Sequence, residues 1–257
     1  MRVQARAGRI YVDDAGAADT PTLFVHSLAG NTTHWEHQLT HVRTTSCAIA
    51  FDLRGHGQSD PPRSGDYSLE ACADDAQAVL DALGVDRAIV VGHSMGAGVA
   101  AVFAATRPER VAGLLLADPV GDQRLAPDQM QQFLVALESA HYERFVRDYW
   151  QQIAGDNKHL RERLLTDLAH TPKPAVVGML WALQRTNLTD YITSYHGPKL
   201  AVITPHNDFP FSLQNVDPEM EQIVIDGTGH WLQLEKPEEF NAIMDRFTTD
   251  ALERRAY

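Results

Sequence analysis

Gly92-His93-Ser94-Met95-Gly96 fits the pattern Gly-x-Ser-x-Gly, and the spacing has a mechanical meaning. A serine at the tip of a sharp strand-to-helix turn needs small residues two positions before and after it, because larger side chains would collide as the backbone reverses. A hydroxyl so exposed becomes a nucleophile only when a base takes its proton and a third group holds the base. The stretch is short enough to arise as an ordinary serine in a glycine-rich turn. Its partners must therefore decide.

Twelve histidines are available as the base, so position has to choose among them. His230 stands in IDGTGHWLQLEKPEEF, after the last apolar run and before the last helical pattern. In a parallel sheet that loop falls on the same edge as Ser94, and His230 is the expected base; its bland alternative is a histidine capping the last helix. His26 and His93 also flank site loops, but His93 adjoins the serine and is expected to point away along the turn. Two acids follow strands at the same edge. Asp208 lies in ITPHNDF and Asp118 ends LLLAD. Asp208 is preferred because Ser, Asp and His then run down consecutive loops. Asp118 remains the alternative, with a helix-capping role if it is not the acid. The oxyanion of acyl transfer needs backbone N–H donors. The amide of Met95 and that of Leu28, in HSLAGN, are the candidates, with Ser27 a third. Read blandly, residues 27–30 are a plain strand-to-helix turn.

The elements that must position these residues are legible as apolar runs. Val3 to Ala7 and Arg9 to Asp13 around Gly8 read as a hairpin. TLFVH, SCAIAFDL, AIVVG, VAGLLLAD, KLAVIT and EQIVID are continuous apolar strands. Helical patterns occupy Leu69 to Gly84, Ala97 to Thr106 and Pro237 to about Leu252. Apolar strands alternating with helices predict an α/β fold, with a mostly parallel central sheet flanked by helices on both faces. Between residues 121 and 196 the pattern is helical only, with four amphipathic segments. That predicts a core of residues 1–120 and 197–257 and a helical lid of 121–196 over the carboxyl ends of the strands. Bulky residues in the insertion, among them Phe133, Leu137, Phe145, Tyr149 and Met179, are expected mainly to form its own core.

The bulk numbers are consistent with this. A chain of 257 residues, 44% apolar, can bury a sizeable core. A formal charge of −12 argues against nucleic-acid and anionic-membrane partners, which call for basic patches. No apolar run has the length of a membrane span, and MRVQARAGRIYVDDAG lacks the apolar stretch of a signal peptide, so the expected compartment is the cytoplasm. Cys47 and Cys72 lack metal or redox spacing and read as buried free thiols. His34, His37 and His41 share a face of a predicted helix. A solvated face is preferred there over a metal site, and no cofactor is expected.

HSLAG, DLRGHGQSD, GHSMG and DGTGHWLQLEKPEEF together resemble the α/β-hydrolase superfamily over nearly the whole chain. The resemblance is to the branch of lidded small esterases, perhydrolases and meta-cleavage-type hydrolases. It implies a serine hydrolase acting on small, rather apolar carboxylic esters, with Ser94, Asp208 and His230 as triad and Leu28 and Met95 as oxyanion hole. Ser27, Trp150, Trp181, Phe209 and Trp231 are expected to line the substrate space. The same triad also serves C–C cleavage, perhydrolysis and lyase chemistry, and proteins of this fold include slow-turnover sensors of small molecules. Within DLRGHGQSD, Arg54 and the glycines are expected to shape a turn. The chain departs from the family pattern at Ser27, where glycine is usual, at Ala97, and at Thr204-Pro205-His206, where a glycine usually opens the loop before the acid.

Overall fold

A computed structural model of the chain describes residues 1–17 and 20–253. Eight strands form one sheet in the order β1-β2-β4-β3-β5-β6-β7-β8. The hairpin of β1 (Arg2–Gln4) and β2 (Arg9–Ala15) is antiparallel. From β4 onward all pairs are parallel: β3 (Thr22–Val25), β4 (Ala48–Phe51), β5 (Ala88–His93), β6 (Val111–Ala117), β7 (Lys199–Ile203) and β8 (Glu221–Val224).

The central strands are buried on both faces, which is why their sequences are apolar without alternation. Successive residues part company at the pleat. Phe24, Ala48, Ala50, Ile89, Val91 and Leu115 pack with α1 (Glu36–Val42) and α11 (Pro237–Glu253). Leu23, Val25, Ile49, Phe51, Val90 and Leu114 pack with α2 (Leu69–Ala82) and α3 (Met95–Thr106). α2 begins at Ser68, whose hydroxyl accepts from the Ala71 N–H, and Gly84 just beyond its end takes φ +67°. The Arg54 guanidinium ties the DLRGHGQSD loop to α2, donating to Asp75 (2.7 Å) and to the carbonyls of Asp66 and Ala71. Cys72 is buried and Cys47 half-buried, and both are free. No helix of the described residues is long and apolar enough to cross a membrane.

Between β6 and β7 lie five helices rather than four: α4 (Pro127–Glu138), α5 (Tyr142–Ile153), α6 (Lys158–His170), α7 (Lys173–Arg185) and α8 (Leu188–Ser194). The short α8 starts at Asn187, whose side chain accepts from the Asp190 N–H, and its buried Leu188 approaches α3 at Gly98. The insertion is fastened at several points. Asp167 of α6 meets the buried His34 at 3.0 Å, and Arg163 holds Glu36 and the Thr33 carbonyl. Asp122, which accepts from Thr189 within the insertion, donates its N–H to the Phe211 carbonyl at 2.8 Å. At the far end of α5 the Ile153 carbonyl accepts from the His230 N–H at 2.9 Å. Two short helices, α9 (Leu213–Val216) and α10 (Leu232–Glu235), complete the chain.

The three histidines expected on one helical face do not share it. Residues Thr32–Trp35 wind as a tighter 3-10 turn before α1, which turns His34 inward to Asp167. His41 faces Asp245, and His37 lies near Glu36 on the surface.

Candidate active site

Ser94 sits between β5 and α3 with φ +54°, a conformation that non-glycine residues rarely adopt. The flanking glycines are required by contact. A Cβ at Gly92 would come within 2.5 Å of the Gly96 carbonyl oxygen, and one at Gly96 would collide with the carbonyls of Val25 and His26. The turn is held by the Ser94 N–H donating to Ala117 at 3.0 Å, so the serine is fixed against the end of β6. Only two other non-glycine residues among those described have positive φ: Ala29, at +56°, and Asp118, at +38°. All three follow adjacent strands at one sheet edge. Such conformations cost about 1–3 kcal/mol each and persist where the surroundings impose them.

Asp118, directly after β6, is buried. Its Oδ1 accepts from the N–H and hydroxyl of Thr204, at 2.8 and 3.1 Å, and its Oδ2 faces His230 Nδ1 at 2.5 Å. Since a carboxylate oxygen accepts, His230 carries a proton on Nδ1, and in the neutral ring Nε2 is then the acceptor.

Asp208, the expected partner of His230, does not reach it. It is exposed and accepts from the Asn215 side chain at 2.9 Å. The chain leaves β7 through Thr204, whose N–H and hydroxyl are spent on Asp118, and then turns over Pro205 and His206. By residue 208 it has turned to the surface. The departure at Thr204-Pro205-His206, together with an aspartate directly ending an apolar strand, was the available signal for Asp118.

Around this pair the aromatic residues sort into two groups. Trp231 is buried with its ring edge against His230 (centroids 5.1 Å), and Trp150 is buried beside Tyr149. Although Tyr149 is 37% exposed, desolvation by its neighbours and the Asp118 charge raise its phenol above the usual range, which places α5 in the electrostatic field of the site. Trp181 instead donates to Glu138 and lies under Arg185, and the exposed Phe209 stacks on Phe211. The described contacts of these two are elsewhere.

On the β3 side, the Ser27 carbonyl accepts from Gly30 and from His26 Nδ1. Neither this turn nor the start of α3 uses the N–H of Leu28 or Met95. The Ser27 hydroxyl is buried without a hydrogen-bond partner among the described residues. His26, fully buried, accepts from the Leu53 N–H on Nε2, and burial drives its pKa well below the usual range. It is thus a neutral strut under the loop. No group of His, Cys, Asp and Glu that could hold a metal ion occurs among the described residues.

Sequence reasoning overlooked how His230 is held. Its ring meets Asp118, its carbonyl lies 2.8 Å from His93 Nε2, and its N–H reaches Ile153 of the insertion. Main-chain partners leave no residue-type signature.

Comparison with known proteins identifies the fold family. Residues 20–237 match the family described as the alpha/beta hydrolase fold. A dihydrolipoyllysine-residue acetyltransferase component of the acetoin cleaving system from Cupriavidus necator is 28% identical over 92% of this chain, which spans 65% of that relative's length. The sn-1-specific diacylglycerol lipase ABHD11 of Mus musculus is 27% identical, covering 91% of this chain and 82% of the lipase. Among solved structures, that of Est816, an N-acyl homoserine lactone degrading enzyme, superposes with a TM-score of 0.80 at 30% identity, covering 96% of this chain and all of that one. The chain belongs to the α/β-hydrolase fold family.

Proposed function

We propose that the protein is a serine hydrolase of small carboxylic esters. The observation that carries this reading is the 2.5 Å contact between His230 Nδ1 and the buried Asp118, beside a strained turn that presents Ser94. In the reaction the Ser94 hydroxyl attacks the acyl carbon while His230 Nε2 takes its proton. Asp118 keeps the imidazole in the required tautomer and stabilises it once charged. The amides of Leu28 and Met95 receive the developing oxyanion. His230 then protonates the leaving alcohol, and a water activated by the same ring releases the acid and restores Ser94.

Lactones belong among the candidate substrates. Est816, similar over 96% of the chain, degrades an N-acyl lactone, and a lactone is an ester whose alcohol stays attached. The test pairs p-nitrophenyl esters of increasing acyl length with an N-acyl homoserine lactone and a fluorophosphonate label. Wild type should hydrolyse one of the two classes and take the label. Ser94→Ala should lose at least about 1,000-fold in kcat/KM and the label with it. Full activity in Ser94→Ala would overturn the mechanism. Labelling without turnover of either class would move the search to C–C cleavage, lyase chemistry or ligand sensing.

A further inference from the structure

His93 has no part in the chemistry proposed above, yet its ring is fully buried where the nucleophile turn meets the loop of the base. Its ring lies 4.8 Å between centroids from the tilted ring of His230, and meets Trp231 at 5.7 Å and Trp35 at 6.4 Å edge to face. Its Nε2 lies 2.8 Å from the His230 carbonyl oxygen. A carbonyl can only accept, so His93 bears its proton on Nε2 and donates it. Its Nδ1 is then unprotonated, and that atom has no partner among the described residues. Burial pushes the His93 pKa well below the usual range, so the ring stays neutral and keeps this single tautomer.

We infer that His93 is a positioning residue that sets the separation of Ser94 from His230 through the bond from its Nε2–H to the His230 carbonyl. The inference rests on the hydrolase reading above. His93 ends β5, pairs in register with Ala117 of β6, and is followed directly by Ser94. It therefore grips the base from the residue adjoining the nucleophile. Asp118 fixes the orientation of the His230 ring, while His93 fixes the main chain from which that ring projects. With that bond lost, the ring remains paired to Asp118 and the N–H to Ile153, but the carbonyl side of the His230 main chain loses its anchor and can shift, and misplacement of a base by about 1 Å costs on the order of 100-fold in rate.

Two variants and one spectrum test this. His93→Phe keeps a ring of similar size without the donor, and His93→Gln keeps an N–H donor on a flexible stem. His93→Phe should lower kcat about 10- to 100-fold with KM within twofold of wild type, and His93→Gln should recover most of the loss. A His93→Phe protein with wild-type kcat, or a His93→Gln protein as impaired as His93→Phe, would overturn the proposal. The second measurement needs no turnover: histidine-selective ¹⁵N NMR of wild type, with the His93 resonances assigned by their absence from the His93→Phe spectrum and the readout confined to them. A neutral Nε2–H tautomer persisting from about pH 5 to 9 is expected, and an Nδ1–H tautomer or an imidazolium in that range would refute the bond. Ser94→Ala assayed alongside separates the two readings. Activity lost in Ser94→Ala but kept in His93→Phe sinks the His93 role alone. Activity kept in Ser94→Ala sinks the hydrolase reading, and the spectrum still decides the bond.

Discussion

Replacing Asp118 by Asn would leave a side chain of the same shape beside His230 Nδ1 but remove the charge that stabilises the imidazolium and selects its tautomer. kcat should fall about 10³- to 10⁴-fold. Asp208→Asn, on an exposed loop where Asn215 is its side-chain partner among the described residues, should stay within about twofold of wild type. Steady-state kinetics on the pair assign the acid, and the opposite ranking would return the role to Asp208. At this scale the positions of Ser94 and His230 at one sheet edge were legible, because each follows an apolar run. For the acid the sequence favours Asp208, whose loop comes next in chain order, although Asp118 has the same kind of strand-end address and is the one that meets His230. What separated them was the path of the backbone after β7, where Thr204 turns back to Asp118 and the following residues run out to solvent.

Elements were easier to read than their attachments. The apolar runs of β3 to β7 mark a sheet covered on both faces, and the glycines around Ser94 mark the turn. The seat of the insertion on the His230 loop was not legible, since it is made by backbone atoms of two glycines. A Cβ on Gly229 would come within 2.6 Å of the Gly155 nitrogen. Gly229→Ala should therefore push the two segments apart, lengthen the bond from the His230 N–H to Ile153, and displace the base. The expected result is a kcat about 10-fold lower and a loss of about 1–3 kcal/mol in stability. Parallel kinetics and denaturant unfolding would check it. A variant as active and as stable as wild type would mean that the contact does not constrain the site.

For the whole molecule, the buried histidines govern the response to acid. Burial lowers the pKa of His56 from 6.5 to about 4 and pushes His26 and His93 down as well. In the unfolded chain such rings bind protons near their ordinary pKa, whereas in the fold they resist. Their contribution is fully present above about pH 6.5 and is lost as pH falls toward 4. His56 alone accounts for roughly 3 kcal/mol over that window. Denaturant melts at pH 7.5, 6 and 4.5 should show a steep loss, and a flat profile would contradict the burial of neutral rings. A molecule built this way also has an interlock. Ile153, which accepts from the His230 N–H, belongs to the insertion, so lifting the insertion at that corner unseats the base. On the proposed mechanism, a chain opened wide there would be an idle one, its cutting edge out of true.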